Sequence, residues 1–207
     1  MQETQSTADL RPIAQAAAEF TKPSTVPISE AREQAFTLDE MWAVMEDVAT
    51  RSLSPISGRD VPTDADIGWA AGLMDGEGCV HIARQTYPGT GECKSFSLRI
   101  QVAQCSLAVL REFEWAVGLR GRISSPKPKR LQTRVCHYLN YSGMRAFFVL
   151  ERLREHLRRK REHADLAQKF RVDCLIHVHP GCRGTSPEVW RLRHWYYERM
   201  QELNRGS

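Results

Sequence analysis

Two acidic residues, Asp75 and Glu77, stand at the end of a predicted helix whose start has capping side chains at residues 63–66. The C-terminal end of a helix carries the negative end of its dipole, where a carboxylate is unfavourable by a few tenths to about 1 kcal/mol. A bound cation reverses that sign, because hard divalent metals prefer carboxylate and carbonyl oxygens. The two acids therefore suit a metal site, and a surface helix with solvated acids is the alternative.

Three glycines, Gly68, Gly72 and Gly76, recur every four residues and therefore share one face of this helix. Glycine inside a helix costs about 1 kcal/mol relative to alanine, so its repetition needs a structural reason. The absence of side chains lets a second backbone approach closely, as in small-residue contacts between packed helices. The pattern predicts a packing face, and we expect an isologous contact between two copies of the chain.

Residues 70–78, with the sequence AAGLMDGEG, resemble the nine-residue motif that names the LAGLIDADG homing endonucleases. Ala70 replaces the first Leu of that motif, Met74 its Ile, Gly76 its second Ala and Glu77 its second Asp. The resemblance implies the family's α-ββ-α-ββ-α fold and a single-motif subunit that dimerises. It also implies that two such helices pack face to face.

The resemblance assigns roles to the residues of the motif. Glu77 matches the catalytic acid that binds metal, and the carbonyl of Gly76 matches a second contact to the metal. Asp75 matches the first acid, which mainly supports the helix end. The implied cofactor is Mg²⁺ or another divalent cation such as Mn²⁺.

The resemblance continues beyond the motif and covers roughly residues 67–170. Residues 100–106 resemble the family's strand-to-helix junction, which implies that Gln104 positions water near the scissile phosphate. Residues 157–164 resemble a helix start with the pattern L-x-x-K, which implies that Lys160 forms the other side of the active-site pocket. Taken alone, Gln104 is more typical of a polar strand end, and Lys160 of a solvated helix, and it is their order behind the motif that favours the catalytic roles.

The elements that must position these residues follow the order α-ββ-α-ββ-α-α, which predicts an α+β fold with one four-stranded antiparallel sheet. Strict alternation over residues 97–102 is typical of a half-buried strand. We expect Ser106 to cap a second helix and Ser142 to cap a third that continues to about Phe170. Ser186 and Pro187 mark the start of a final helix.

The polar face of the predicted sheet is a candidate DNA-binding surface, because alternate side chains of a strand share a face. A two-stranded ribbon fits the major groove, where Arg and Gln can pair with guanine and adenine. A polar face in contact with solvent is the alternative. The predicted DNA contacts on strands are His81, Gln85, Ser97, Arg99, Gln101, Arg122, Ser124, Gln132, Arg134 and Tyr138, and Lys127, Lys129 and Arg130 would contact phosphates from a loop.

The charge of the chain is divided unevenly. Residues 1–66 carry a net charge of −7, and residues 67–207 carry +11. A basic body behind an acidic leader is typical of a polyanion-binding protein, although an ordinary basic surface has the same composition. We expect double-stranded DNA as the partner and no small-molecule substrate.

The composition also bears on domains and location. Residues 1–62 predict an extension, partly disordered, with a short helix near 37–49, and residues 63–207 predict the endonuclease domain with its C-terminal helix. We expect a soluble, intracellular protein without a membrane span or signal peptide, since no apolar run is long enough and six cysteines are scattered singly. Four residues have spacing that a zinc site could use, although free thiols and incidental histidines are the simpler expectation: Cys174, His177, His179 and Cys182.

The sequence therefore predicts a site-specific homing endonuclease that makes metal-dependent double-strand cuts in a long DNA target as a homodimer. Its origin would be an intron or another mobile element. Two alternatives keep the fold: an intron maturase that binds RNA, and a DNA-binding regulator without catalytic activity. The joint presence of Glu77, Gln104 and Lys160 favours the nuclease.

Overall fold

The computed structural model describes residues 61–89, 91, 93–126, 135–174, 176 and 185–206. Predictions for residues 1–60, including the short helix near 37–49, lie outside these described residues. The same holds for five predicted DNA contacts and for three of the residues with zinc-like spacing. These are Lys127, Lys129, Arg130, Gln132 and Arg134, and His177, His179 and Cys182.

Five helices and four strands occupy the part of the chain that the structure describes. The helices are α1 (Asp64–Glu77), α2 (Leu107–Val117), α3 (Met144–Leu153), α4 (Arg161–Asp173) and α5 (Pro187–Gly206). The strands are β1 (Gly78–Thr86), β2 (Cys93–Gln104), β3 (Arg122–Ser124) and β4 (His137–Ser142). None of the described helices combines the length and the apolar character that crossing a membrane requires.

The four strands form one antiparallel sheet with the order β1-β2-β4-β3, so two hairpins meet through their second strands. The register opposes Val80 to Ile100 and Val102 to Leu139, and all four side chains are buried. They form the core together with the apolar faces of the helices. The predicted α+β class and four-stranded sheet are confirmed.

The first helix begins at the residues that the sequence indicates. Thr63 is the N-cap, and its hydroxyl accepts the backbone N–H of Asp66 at 3.4 Å. The Asp66 carboxylate accepts the N–H of Thr63 at 2.8 Å, which completes a capping box. Ala70, Ala71 and Met74 are buried, so this side of α1 faces the core.

The predicted single helix from residue 142 to about residue 170 is wrong, because a turn over residues 154–160 separates α3 from α4. In an unbroken helix, the N–H groups of Arg158 and Lys160 would bond to carbonyls four residues earlier. Both instead donate to the carboxylate of Asp75, at 2.8 and 2.9 Å. The tertiary contact therefore replaces two helical hydrogen bonds.

Of the two predicted N-cap residues, Ser106 holds that position and Ser142 does not. Ser106 holds the N-cap position of α2 but makes no capping bond with its side chain. Ser142 remains in β4, where it is paired with Arg99. Gly143 holds the N-cap position of α3 with a φ of 59°, which favours glycine, and its N–H donates to the carbonyl of Leu98 at 2.9 Å.

The last helix, α5, begins at Pro187 as the sequence predicts. It packs against β1 and β2, the first hairpin of the sheet. Phe96 of β2 packs between Trp190 and Tyr197, with ring centroids at 5.9 and 5.6 Å. The side-chain amide of Asn204 donates to the carbonyl of Val80 at 2.9 Å. These contacts join the C-terminal helix to both strands of the first hairpin.

Replacing Gly78 with alanine should lower the free energy of unfolding by roughly 1–3 kcal/mol, because the site has no space for an added methyl group. A Cβ at Gly78 would lie 2.3 Å from the sulfur of Met74 and 2.5 Å from its carbonyl oxygen. The sulfur can rotate away, but the carbonyl belongs to the last turn of α1. Urea unfolding at fixed protein concentration would measure the change.

The matched control is Gly206→Ala at the end of α5, where nothing lies within 4 Å of the added Cβ among the described residues. The folded subunit should then be unchanged or more stable by up to about 1 kcal/mol, because alanine is the better helix former. Equal stability of the two variants would contradict the close packing at Gly78.

Candidate active site and nucleic-acid interface

Asp75 is a buried carboxylate at the end of α1, with 9% of its surface exposed. Its two oxygens accept the backbone N–H groups of Arg158 and Lys160, which lie more than 80 residues later in the chain. The carboxylate therefore attaches the turn between α3 and α4 to the end of α1. Each of the two oxygens accepts one backbone N–H from this turn.

Lys160 lies beside Asp75 at the end of α1 and is also buried, with 8% of its surface exposed. Its Nζ donates to the backbone carbonyl of Asp75 at 2.8 Å. Burial lowers the pKa of Lys160 and the neighbouring Arg159 lowers it further, while Asp75 and Cys79 oppose the shift. An ammonium group has three hydrogens, so two remain for another partner near the end of α1.

Glu77, the last residue of α1, is exposed. Its carboxylate makes no hydrogen bond or ion pair with any residue that the structure describes. The last carbonyls of a helix have no donor within the helix, so the carbonyl of Gly76 is available as well. Two oxygen groups, one of them charged, are therefore open at this end of the helix.

Gln104 ends β2 and is half-buried. The register pairs Val102 with Gly78, the first residue of β1, so β2 extends two residues past the start of its neighbour. This extension lies at the end of the sheet where β1 leaves α1. The Gln104 amide makes no hydrogen bond with the described residues and is available to a water molecule or a ligand.

The hydrogen bond of Lys160 places it at the end of α1, where Glu77 is the last residue, and the strand register places Gln104 at the same end of the sheet. Glu77 comes from the helix itself, Gln104 from β2 and Lys160 from the turn before α4. Cys79, the second residue of β1, also lies near Lys160: burial raises the pKa of its thiol, and the Lys160 charge lowers it. The result is a cluster with one free carboxylate, one free amide and one buried ammonium group.

The glycine face of α1 is open. Gly72 and Gly76 are exposed, and nothing among the described residues lies within 4 Å of a Cβ added to either. A Cβ at Gly68 would meet only Nδ1 of His156, at 3.7 Å. Trp69 beside them is 39% exposed. Gly68 and Gly72 line a groove together with residues 155–158.

The face of the sheet that points away from the helices has the predicted polar residues. Arg99 is opposite His81 on β1 and opposite Ser142 on β4. Burial lowers the pKa of His81 and the guanidinium of Arg99 lowers it further, so this imidazole is neutral at pH 7. The same outer face has Gln85, Ser97, Gln101, Arg122, Ser124 and Tyr138.

No protein-family model and no curated protein matches the sequence. Among solved structures, the homing endonuclease I-CvuI, in complex with the I-CreI target in the presence of Mg, is similar with a TM-score of 0.52 and 18% identity. The similarity covers 67% of this chain and 82% of that chain. The complex of I-CvuI with its own target in the presence of Ca matches with a TM-score of 0.51, 19% identity and the same coverage. The chain has the LAGLIDADG homing-endonuclease fold.

One residue on the outer face of this homing-endonuclease fold was missed by the sequence prediction. Asn140 of β4 lies opposite both Gln101 and Arg122, in the centre of the sheet. The Gln101 amide donates to its Oδ1 at 2.8 Å. Strand alternation could have identified Asn140, because it follows Tyr138 by two residues and therefore shares its face.

The donor set at the end of α1 fits a hard divalent metal, since Glu77 and the Gly76 carbonyl both offer oxygen. No cluster of three or more His, Cys, Asp or Glu side chains suited to a metal occurs within the described ranges. A metal at this end of the homing-endonuclease fold would therefore need further oxygen ligands, from a second subunit, from DNA phosphates or from water.

Proposed function

We propose that this protein is a LAGLIDADG homing endonuclease of the single-motif type, which cuts both strands of a long DNA target as a homodimer with a divalent metal such as Mg²⁺. The observation that carries the proposal is the position of Lys160 at the end of α1, where Glu77 is the last residue. The strand register places Gln104 at the same end of the sheet. These residues come from separate elements, and their functional groups remain available there.

Each residue has a distinct part in phosphodiester hydrolysis. Glu77 and the Gly76 carbonyl would hold the metal, which would supply positive charge to stabilise the oxygens of the reacting phosphodiester. Gln104 orients the attacking water through its amide. Lys160 stabilises the negative charge that develops on the phosphate. Asp75 positions Lys160 by accepting its backbone N–H.

The open glycine face supports the homodimer. Glycine at 72 and 76 gains nothing from packing within the described part of the subunit, because an added Cβ would meet no atom there within 4 Å. Each glycine nevertheless costs about 1 kcal/mol of helix stability. A contact with the same helix of a second subunit explains this cost. That contact also brings two copies of Glu77 together, as two strand cuts require.

The outer face of the sheet supports double-stranded DNA as the partner. It presents Arg99 and Arg122 with amide and hydroxyl side chains, which can pair with base edges in the major groove. The body of the chain is basic, with a net charge of +11 over residues 67–207. I-CvuI, which shares the fold, binds DNA targets in the presence of Mg or Ca.

Incubation of the full-length chain with long randomised DNA duplexes tests the proposal. With Mg²⁺ or Mn²⁺ we expect paired cuts on both strands within a narrow set of sequences, and none in EDTA. Sequence-specific binding without cuts under any metal condition would contradict the nuclease and indicate a regulator. Preference for structured RNA over duplex DNA would indicate a maturase.

DNA affinity should depend strongly on salt. Each phosphate that a lysine or arginine neutralises contributes roughly −0.9 to the slope of log affinity against log salt concentration. Replacing Lys127, Lys129 and Arg130 with alanine should therefore flatten the slope by about 2 to 3 per subunit, as fluorescence anisotropy would show. Arg191→Ala is the control, because that exposed side chain pairs with Glu188 on α5. An equal slope in both variants would contradict phosphate contacts from this loop.

A further inference from the structure

The side-chain amide of Asn140 has only one orientation that its neighbours allow. Its Nδ2 lies 2.9 Å from the carbonyl of Tyr138 and 3.2 Å from the carbonyl of Arg122. Backbone carbonyls only accept hydrogen bonds, so the group that faces them must be the NH₂. The opposite assignment of the amide would place oxygen against two carbonyl oxygens. The orientation therefore follows from hydrogen-bond chemistry.

This orientation determines that of Gln101. The Asn140 oxygen, which can only accept, faces the Gln101 amide at 2.8 Å. Gln101 must therefore present its NH₂ to Asn140, and its own oxygen must face elsewhere. One Gln101 hydrogen is used in this contact, so one donor and one acceptor remain. A glutamine without such a neighbour can rotate its amide by 180° and exchange the two.

Gln101 lies in the centre of the outer face, between Cys79 of β1 and Asn140 of β4. It is half-buried, so part of its amide reaches the surface of the sheet. In the major groove, adenine presents one acceptor and one donor, N7 and the N6 amino group. Guanine presents two acceptors, N7 and O6. An amide held with one donor and one acceptor therefore matches adenine, and its oxygen would meet an acceptor on guanine.

We infer that Asn140 holds the Gln101 amide in one orientation and thereby makes Gln101 select adenine over guanine at one base pair of the DNA target. Asn140 acts as a positioning residue, and Gln101 makes the contact with the base. The inference rests on the proposed DNA-binding function. It assigns adenine as the preferred base at one position of the target.

Binding-site selection from randomised duplexes in the presence of calcium tests this assignment. The wild-type chain should prefer adenine over guanine by about tenfold or more at one base pair in each half of the site. Gln101→Ala should abolish the preference at that base pair only. Asn140→Ala should reduce it to about threefold or less, because a released amide can also turn its NH₂ toward guanine. Gln101→Glu, which has no hydrogen to donate, should also lose it.

Gln85→Ala is the matched control, because Gln85 lies on the same face and bonds to Ser95 instead of Asn140. It should leave the preference at the Gln101 base pair unchanged. A merely structural role of Asn140 would weaken binding at all base pairs together, and thermal unfolding of each variant would show it.

The outcomes separate the inference from the proposed function. Enrichment of no DNA sequence by the wild-type chain would refute the proposed function, and the base assignment with it. A specific site whose adenine preference survives in Asn140→Ala and Gln101→Glu would overturn the inference alone. A preference for guanine at the base pair that depends on Gln101 would overturn it as well.

Discussion

The variant Glu77→Gln should cut DNA more slowly by several orders of magnitude, because water activation and leaving-group stabilisation both depend on the metal. The substitution keeps the size of the side chain and removes the charge that binds the ion. Stability should change by less than about 0.5 kcal/mol, since Glu77 is exposed and makes no hydrogen bond or ion pair with the described residues. Single-turnover cleavage of a selected target would give the rate.

DNA affinity in EDTA should stay close to that of the wild type or rise slightly, because a carboxylate near phosphates repels them. The predicted base contacts come from other side chains, on the outer face of the sheet. Cleavage by Glu77→Gln at a rate near that of the wild type would refute the metal-ligand role and leave only the fold.

Asp75→Asn is the informative comparison, because its effects should have the opposite pattern. The Asp75 carboxylate accepts two backbone N–H groups, and an asparagine has only one oxygen to offer them. The free energy of unfolding should fall by about 1–3 kcal/mol, since one buried donor loses its acceptor. Cleavage should fall less than in Glu77→Gln. Intact stability in Asp75→Asn would contradict the supporting role.

The variant Gly72→Leu should fold but fail to dimerise, and double-strand cleavage should be lost with the dimer. Within the described residues, the side of α1 at Gly72 has room for a side chain, because nothing lies within 4 Å of an added Cβ. Leucine also has a higher helix propensity than glycine, so the subunit itself has no reason to unfold. Across the proposed interface, the same side chain would hold the two helices apart.

Light scattering at micromolar concentration, with and without DNA, would measure the oligomeric state. Circular dichroism would confirm that Gly72→Leu is folded. The control is Glu112→Leu, which adds the same apolar side chain at an exposed position of α2 and should remain dimeric. A wild-type chain that is monomeric in both conditions, or a dimeric Gly72→Leu, would contradict the glycine interface.

The sequence alone was sufficient for the elements whose signals are local. The capping box of Thr63 and Asp66 spans four residues, and the alternation that defines β2 repeats every second residue. The spacing of Gly68, Gly72 and Gly76 follows from the period of the helix. Such patterns depend on neighbours within a few positions, so they can be recognised without knowledge of the fold. The nuclease hypothesis instead came from the resemblance of residues 70–78, 100–106 and 157–164 to the motifs of a known family.

Only the tertiary structure decided how these residues meet. The contact between Asp75 and Lys160 joins positions 85 residues apart and interrupts a segment whose local pattern predicts an unbroken helix. The orientation of Gln101 depends on Asn140, 39 residues later, and on the register that brings β4 beside β2. Hydrogen bonds and close contacts of this kind are set by the packing of separate elements. They leave no periodic trace in the sequence, because neither partner is constrained by its own neighbours.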